Sequence, residues 1–418
     1  MGLEEYRYDA LNCVRCSNCK WMDHVYMRSL RFSKICPSLS KYLFDAYSAQ
    51  GRMDVVLGII DDELRYTPKL LDVIYRCSLC GACDVMCKRC IDLEPLKVLE
   101  ELRAKAYKEW SPLPQHRSLV ANIKNYYNPW GQPRAKRERW AKDLEVKDIT
   151  KEKADVLFYA GCTAYDPKLY KLPRFSIEIL KRGGVDIGIL GAKEKCCGSP
   201  AYRVGDREVS IELAKNNIKT FNQLGFSKVV TSCAGCYGMF KSEYPAWGKM
   251  NFQVLHIVEF IDQLIKENKL KFSKRIDLNV TYHDPCHLGR RSEPYVHWEG
   301  TRVEFGKLNP SKEFRRGTFG VYDSPREVLK SIPGVELIEM ERIKENAWCC
   351  GSGGGVKVAF EDFALWTAEE RIEEAESTRA EALVTCCPYC EQNFNDAIEK
   401  SKKSLKVYDL VEIVFQAI

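Results

Sequence analysis

The sequence predicts an α+β chain in which an all-α, cysteine-rich N-terminal domain precedes a duplicated α/β pair with parallel sheets. Three observations carry that expectation. Nine cysteines crowd into short clusters between helical stretches over residues 1–110. From Ala154 onward, short β-branched runs alternate with helical stretches, the pattern of parallel βαβ units. Those later segments also repeat, with the same residue types in the same order.

Residues 1–110 read as one unit, whose clearest amphipathic helix runs from Leu93 to Lys108. Residues 111–153 are rich in proline, aromatic and basic residues, including Asn128-Pro129-Trp130 and the run Arg134 to Lys142. They predict a linker wrapped over a neighbour, with its basic run as a solvated face. The first α/β domain is expected over 154–275 and the second over 276–418. Six runs are expected as strands: Asp155 to Tyr159, Val185 to Leu190, Lys228 to Thr231, Leu278 to Tyr282, Val335 to Glu339 and Ala382 to Thr385.

The repeat is legible residue by residue. The run from Asp155 to Cys162 pairs with that from Asn279 to Cys286. Gly184-Val185 leads to Cys196-Cys197-Gly198 as Gly334-Val335 leads to Cys349-Cys350-Gly351. The run from Val229 to Cys236 matches that from Leu383 to Cys390. This order puts the cysteines just beyond strand ends, the edge at which open α/β sheets bind ligands.

Composition narrows the chemistry. With 418 residues, 45% hydrophobic and 29% charged, the chain can bury a large core. Its formal charge of +6 lacks the dense basic stripe of a nucleic-acid binder. Residues 1–10 carry no apolar stretch that would read as a signal peptide, and Tyr6 does not fit the myristoylation pattern. Apolar runs such as Val55 to Ile60 fall far short of a bilayer of about 30 Å. A cytoplasmic chain is therefore expected, with no direct membrane insertion and any membrane association through a partner. In that reducing compartment twenty cysteines are metal ligands or redox groups rather than disulfides.

Cys13-x2-Cys16-x2-Cys19 and Cys77-x2-Cys80-x2-Cys83-x3-Cys87 have the spacing of bacterial ferredoxins, in which each run wraps three corners of a cubane and lends a fourth ligand to the other cluster. The expected cofactors are two 4Fe–4S cubanes, one on Cys13, Cys16, Cys19 and Cys87 and one on Cys36, Cys77, Cys80 and Cys83. Sixteen residues separate Cys19 from Cys36, where the motif has about three, so an insertion must loop out. Lys88 stands where ferredoxins usually carry proline. Structural zinc, which closes at four ligands, is the competing reading, and doubled triplets suit it poorly.

The duplicated part supplies two quintets: Cys162, Cys196, Cys197, Cys233 and Cys236, then Cys286, Cys349, Cys350, Cys387 and Cys390. Five thiols exceed what a tetrahedral metal or a simple cubane requires, and adjacent cysteines point apart. Both can ligate only if the cofactor is extended or a thiolate bridges two irons. Zinc remains the alternative for either Cys-x2-Cys taken alone. Cys90 and Cys386 are left over and are expected as small buried thiols or alternative ligands.

The doubled Cys-x33-Cys-Cys-Gly arrangement, preceded by a ferredoxin-like domain, resembles the D-type subunit of heterodisulfide reductase and related fused B-type and C-type subunits. The resemblance spans nearly the whole chain, through Gly161-Cys162-Thr163, Cys196 to Ser199, Cys233 to Cys236, Tyr282 to Arg290 and Cys349 to Lys357. It implies a Rossmann-like pair of CCG domains in which each quintet holds a noncubane 4Fe–4S cluster. It further implies that catalytic members cleave a disulfide between these clusters with electrons from the cubanes. Cys196, Cys197, Cys349 and Cys350 are then candidate catalytic residues, together with His287. Sixty-two residues separate Cys286 from Cys349, with the surplus at Arg291 to Gly320, expected beside the substrate mouth.

His283 and His287 flank Cys286 and either move protons, hydrogen-bond a cluster sulfur or fix the loop. Gly351 to Gly355 lacks a P-loop ending and is expected to let the backbone approach a cluster. No flavin site is legible, so flavin belongs to a partner. The expected function is an iron–sulfur subunit of an anaerobic oxidoreductase complex. It takes electrons from a flavoprotein or other redox subunit, and a disulfide is its candidate substrate. The alternatives are a non-catalytic relay in a flavin-based bifurcating complex, such as one reducing aromatic acyl-CoA thioesters, and a zinc-stabilised scaffold.

Overall fold

The computed structural model describes residues 2–304 and 307–418. The first sheet contains β1 (Lys147–Asp148), β2 (Val156–Tyr159), β3 (Ile187–Ile189), β4 (Lys228–Thr231) and β5 (Gln253–His256). β6 (Leu278–Tyr282) starts the second sheet. After a separate antiparallel hairpin of β7 (Thr301–Arg302) and β8 (Leu308–Asn309), the second sheet continues with β9 (Val335–Leu337), β10 (Ala382–Thr385) and β11 (Lys406–Asp409). Each of the six runs expected from the sequence contains a strand.

Both main sheets are parallel, ordered β1-β3-β2-β4-β5 and β11-β10-β6-β9. Setting β2 against β6, β3 against β9, β4 against β10 and β5 against β11 makes the two orders the same, apart from the added edge strand β1. The central strands β2 and β10 are buried along their whole length. Helices cover both faces, so these strands read as continuous apolar runs rather than as alternation.

The repeats also start corresponding helices alike. His256 caps Ile257–Lys266 with Glu259 reaching back to its backbone, and Asp409 caps Leu410–Ala417 with Glu412 doing the same. Helix Lys171–Arg182 of the first repeat meets Leu410–Ala417 of the second through Phe175 and Phe415, stacked 4.2 Å apart. One hydrophobic core therefore runs through both repeats.

The N-terminal part is helical. Ala49–Ile60, Pro68–Tyr75 and Pro95–Glu109 surround a core that includes Leu3, Met53, Ile74, Leu99 and Leu102. Proline opens the last helix, where a missing N–H costs nothing. Glu100 on that helix meets Arg203 of the first repeat and Arg291 of the second, each at 2.5 Å. The three domains thus share one buried charge network.

The segment between domains does more than cross a surface. Helix Pro114–Tyr126 buries Leu119, Val120 and Ile123, and β1 joins the first sheet. The solvated face expected for Arg134 to Lys142 is corrected at Arg137, whose guanidinium is buried against Glu194 at 2.6 Å. A carboxylate buried at the turn after β3 needs a cation, and this arginine supplies it.

Candidate redox centres

Four groups of thiols converge. Cys13, Cys16, Cys19 and Cys87 line one small cavity. Arg15 and Ser17 adopt left-handed backbone conformations that curl the first run around it. Cys36, Cys77, Cys80 and Cys83 line a second cavity, and Ala49 forms a wall of both. The insertion before Cys36 returns through a bridge between Trp21 and Lys34, leaving Cys36 at the start of helix Pro37–Tyr42. Lys88 is buried between Asp84 at 2.7 Å and Glu94 at 2.6 Å.

The two quintets face each other across a cavity of about 260 Å³. Cys162, Cys197, Cys233 and Cys236 line one side, and Cys286, Cys350, Cys387 and Cys390 the other. Cys196 and Cys349 lie behind this lining and are fully or almost fully buried. Cys162 Sγ is 4.0 Å from Cys196 Sγ, and Cys350 Sγ is 3.2 Å from Cys390 Sγ. Each cysteine follows a strand of its repeat, so the parallel sheets deliver the thiols to one edge.

Electrostatics repeat as well. Hydrogen bonds from Cys196 and Cys236 hold the Cys197 thiol well below its ordinary value despite burial. Cys349 and Cys390 do the same for Cys350, helped by His283. Cys233 and Cys387 hydrogen-bond across the boundary between repeats. Toward the N-terminal domain, Cys349 hydrogen-bonds Cys80, holding the Cys80 thiol down at about 5 against the effect of burial. Cys349 Sγ also lies 3.3 Å from Ser78 Oγ.

His283 accepts from Arg371 Nε at Nδ1, 3.2 Å away, and its ring groups with the thiols of Cys350 and Cys390. His287 has Nδ1 3.4 Å from Cys286 Sγ and lines the cavity. The glycine loop donates Gly351 N–H to Cys349 Sγ at 3.3 Å, as Gly198 N–H does to Cys196 Sγ at 3.4 Å. It also presses on the N-terminal domain: a Cβ at Gly354 would lie 2.8 Å from the Ser78 carbonyl.

Two expectations need correction. Cys386 is buried, but Cys90 is exposed beside Asn18, because the chain after helix Ala82–Cys87 turns out to solvent. The stretch Arg291 to Gly320 does not border the cavity between the quintets; among its described residues none lines that space. It straps the N-terminal domain instead. Arg302 stacks over Tyr8 and pairs with Asp92 at 2.6 Å, Lys312 pairs with Glu94 at 3.0 Å, and Arg315 with Asp84 at 3.3 Å. Acidic side chains of the ferredoxin-like domain draw the basic insertion to them.

Two residues near the thiols are not marked by any spacing in the sequence. His256 is buried beside Ser232 and Cys386, and Arg290 is buried beside Cys80. Arg290 ends the motif Tyr282 to Arg290, which is its one available signal.

The cysteine-rich domain family matches residues 156–241 and again 311–395, and the 4Fe-4S dicluster domain family matches 9–91. The D-type subunit of dihydromethanophenazine:CoB–CoM heterodisulfide reductase from Methanosarcina mazei is 33% identical over 97% of this chain and 93% of its own length. The chain belongs to the family of heterodisulfide reductase D-type subunits. Outside those subunits, EtfAB:quinone oxidoreductase of Syntrophomonas wolfei is 30% identical over 86% of this chain and 48% of its own length. The B-type subunit of the fumarate reductase (CoM/CoB) of Methanothermobacter marburgensis is 27% identical over 97% and 72%.

This member of the heterodisulfide reductase D-type family is thus an iron–sulfur oxidoreductase subunit. The second cysteine-rich match starts beyond Cys286, so it is the equivalence of β6 with β2 that sets Cys286 against Cys162. Among the described residues no helix is long and apolar enough to cross a membrane.

Proposed function

We propose that the chain holds two 4Fe–4S cubanes and two noncubane 4Fe–4S clusters, and passes electrons through them to a disulfide bound between the quintets. Cys13, Cys16, Cys19 and Cys87 hold the first cubane, and Cys36, Cys77, Cys80 and Cys83 the second. The quintets of Cys162 and Cys286 hold the noncubane clusters. The donor is a flavoprotein or another redox subunit of a larger complex.

The observation carrying this reading is the unbroken order of thiol groups. It runs from exposed Cys16, across Ala49, through the contact of Cys80 with Cys349, to the contact of Cys387 with Cys233. All twenty cysteines are free, and the convergent sets offer the soft sulfur ligands that iron–sulfur clusters take. When bound, the clusters supply electrons singly. Two electrons and two protons convert one disulfide into two thiols. His287 has an unpartnered Nε2 and lines the cavity, a position suited to proton delivery. Cys197 and Cys350 face the same space, while Cys196 and Cys349 support it from behind.

The test is anaerobic purification with iron, zinc and sulfide quantified and spin states recorded, followed by addition of disulfides to the reduced protein. Iron and sulfide at four centres with disulfide-dependent reoxidation is the expected outcome. Zinc without sulfide defeats the cluster assignment. Reduced clusters left untouched by heterodisulfide and simple disulfides favour the second reading, a relay without its own substrate in a flavin-based bifurcating complex. The likeness to EtfAB:quinone oxidoreductase supports a redox role that involves no disulfide.

A further inference from the structure

Both quintets have a buried arginine beside them, but its charge is handled differently. Arg137, from the segment preceding the first repeat, donates to Glu194 Oε1 at 2.6 and 3.1 Å, so cation and carboxylate neutralise each other next to Cys162. Arg290 has no such partner. Its Nε donates to the Cys80 carbonyl at 2.7 Å, and its Nη1 to the carbonyls of Ala347 at 2.7 Å and Glu345 at 2.9 Å. Among the described residues no carboxylate pairs with it.

Carbonyls solvate a guanidinium but do not cancel its charge, and a buried uncancelled cation is costly. Against burial, what favours the charge of Arg290 are the nearby thiols of Cys80, Cys286 and Cys349. These are the thiols at which the N-terminal domain meets the second repeat.

We propose that Arg290 is a positioning residue for electrons, raising the reduction potentials of the second cubane and the second noncubane cluster relative to the first quintet's cluster. This rests on the cluster reading above. A fixed positive charge in a dry site favours whichever neighbour gains an electron. In each transfer a reduced flavin or iron–sulfur donor of the partner loses one electron and a cluster gains it, with no bond made or broken. The electron then rests at the junction of Cys80 and Cys349, and its onward step to the first quintet waits for an acceptor in the cavity.

The experiment is a redox titration followed by electron paramagnetic resonance on the full chain, in wild type, Arg290→Gln, Arg290→Lys and Glu194→Gln. Iron and sulfide are measured in every sample, and Cys197→Ser identifies the first quintet's signal. Arg290→Gln is expected to move the potentials of the second cubane and second noncubane cluster in the negative direction while the first cubane stays put. Arg290→Lys, which keeps the charge, is expected to stay near wild type. Glu194→Gln uncovers Arg137 and is expected to move the first quintet's potential in the positive direction.

A fully loaded Arg290→Gln protein with unmoved potentials overturns the proposal. So does Arg290→Lys shifting as far as Arg290→Gln, since hydrogen bonding rather than charge would then be responsible. If Arg290→Gln fails to retain its second noncubane cluster, Glu194→Gln decides: an unmoved first-quintet potential overturns the charge argument. Wild-type protein lacking iron and sulfide defeats the cluster reading itself.

Discussion

The two repeats share a scaffold and differ in what surrounds it. The first quintet is closed over by the segment that precedes it: Trp130 Nε1 donates to the Cys162 carbonyl at 3.2 Å, and Cys196 N–H to the Tyr127 carbonyl at 3.0 Å. The second quintet instead meets the N-terminal domain, with Cys349 against Cys80 and Ser78, and Gly354 against the carbonyls of Cys77 and Ser78. Equivalent strands set where the thiols stand, and unequal neighbours set what each group touches. On the proposed electron route the first quintet is a terminus and the second a junction.

The largest effect that sharpens this contrast comes from removing a thiol in each quintet. With four clusters bound as proposed, Cys197→Ser is expected to lose the first quintet's cluster, about a quarter of the iron and sulfide, and to spare both cubanes. Cys350→Ser is expected to lose as much iron and also to perturb the resonance of the cubane at Cys80, its neighbour through Cys349. Equal spectra from the two variants would erase the distinction between terminus and junction.

Glu100→Gln tests whether one helix ties both repeats to the N-terminal domain. Burial pushes the Glu100 carboxyl up, but Lys97, Arg203 and Arg291 hold it well below the usual carboxylate range. Its stabilisation is therefore present above the unfolded value of about 4.3 and fades as the pH falls below it. Breaking this buried network is expected to cost about 3–5 kcal/mol in denaturant unfolding at neutral pH.

His116 reports on the seam between the second repeat and the N-terminal domain, since it hydrogen-bonds the Gly355 carbonyl at 2.9 Å and its ring lies 4.7 Å from that of Tyr75. Burial lowers it to about 4. The unfolded chain therefore takes up a proton near pH 6.5 that the folded one refuses, and stability is lost as pH drops from 6.5 toward 4. His116→Gln is expected to remove about 3 kcal/mol of that acid-side slope, read from unfolding midpoints across this window. The smallest effect is expected at the strap. Arg302→Ala should cost about 1 kcal/mol and raise protease cleavage within 291–320, with iron content unchanged.

Much of this arrangement is legible in the sequence because the repeat is written in residues as well as in pattern. β2 and β10 are buried along their length and end just before Cys162 and Cys387, which announces the sheet and the edge where the thiols gather. The edge strands β5 and β11 escape sequence reading: Gln253–His256 and Lys406–Asp409 are four-residue stretches with polar ends that run straight into helices. The insertion is visible in the spacing, but its place is not, since only tertiary packing reveals that Asp84, Asp92 and Glu94 attract its basic side chains. Arg290 closes a recognisable motif, yet its lack of a carboxylate is a property of space and not of spacing.

Exposure of Cys16 at one end of a row whose other members are mostly sheltered has a further consequence. Dissolved oxygen reaches that end first. If the clusters are arranged as proposed, brief aeration is therefore expected to corrode the outermost cubane and leave the inner centres chemically whole but cut off from their donor, so that electron uptake from a redox partner fails before the colour does.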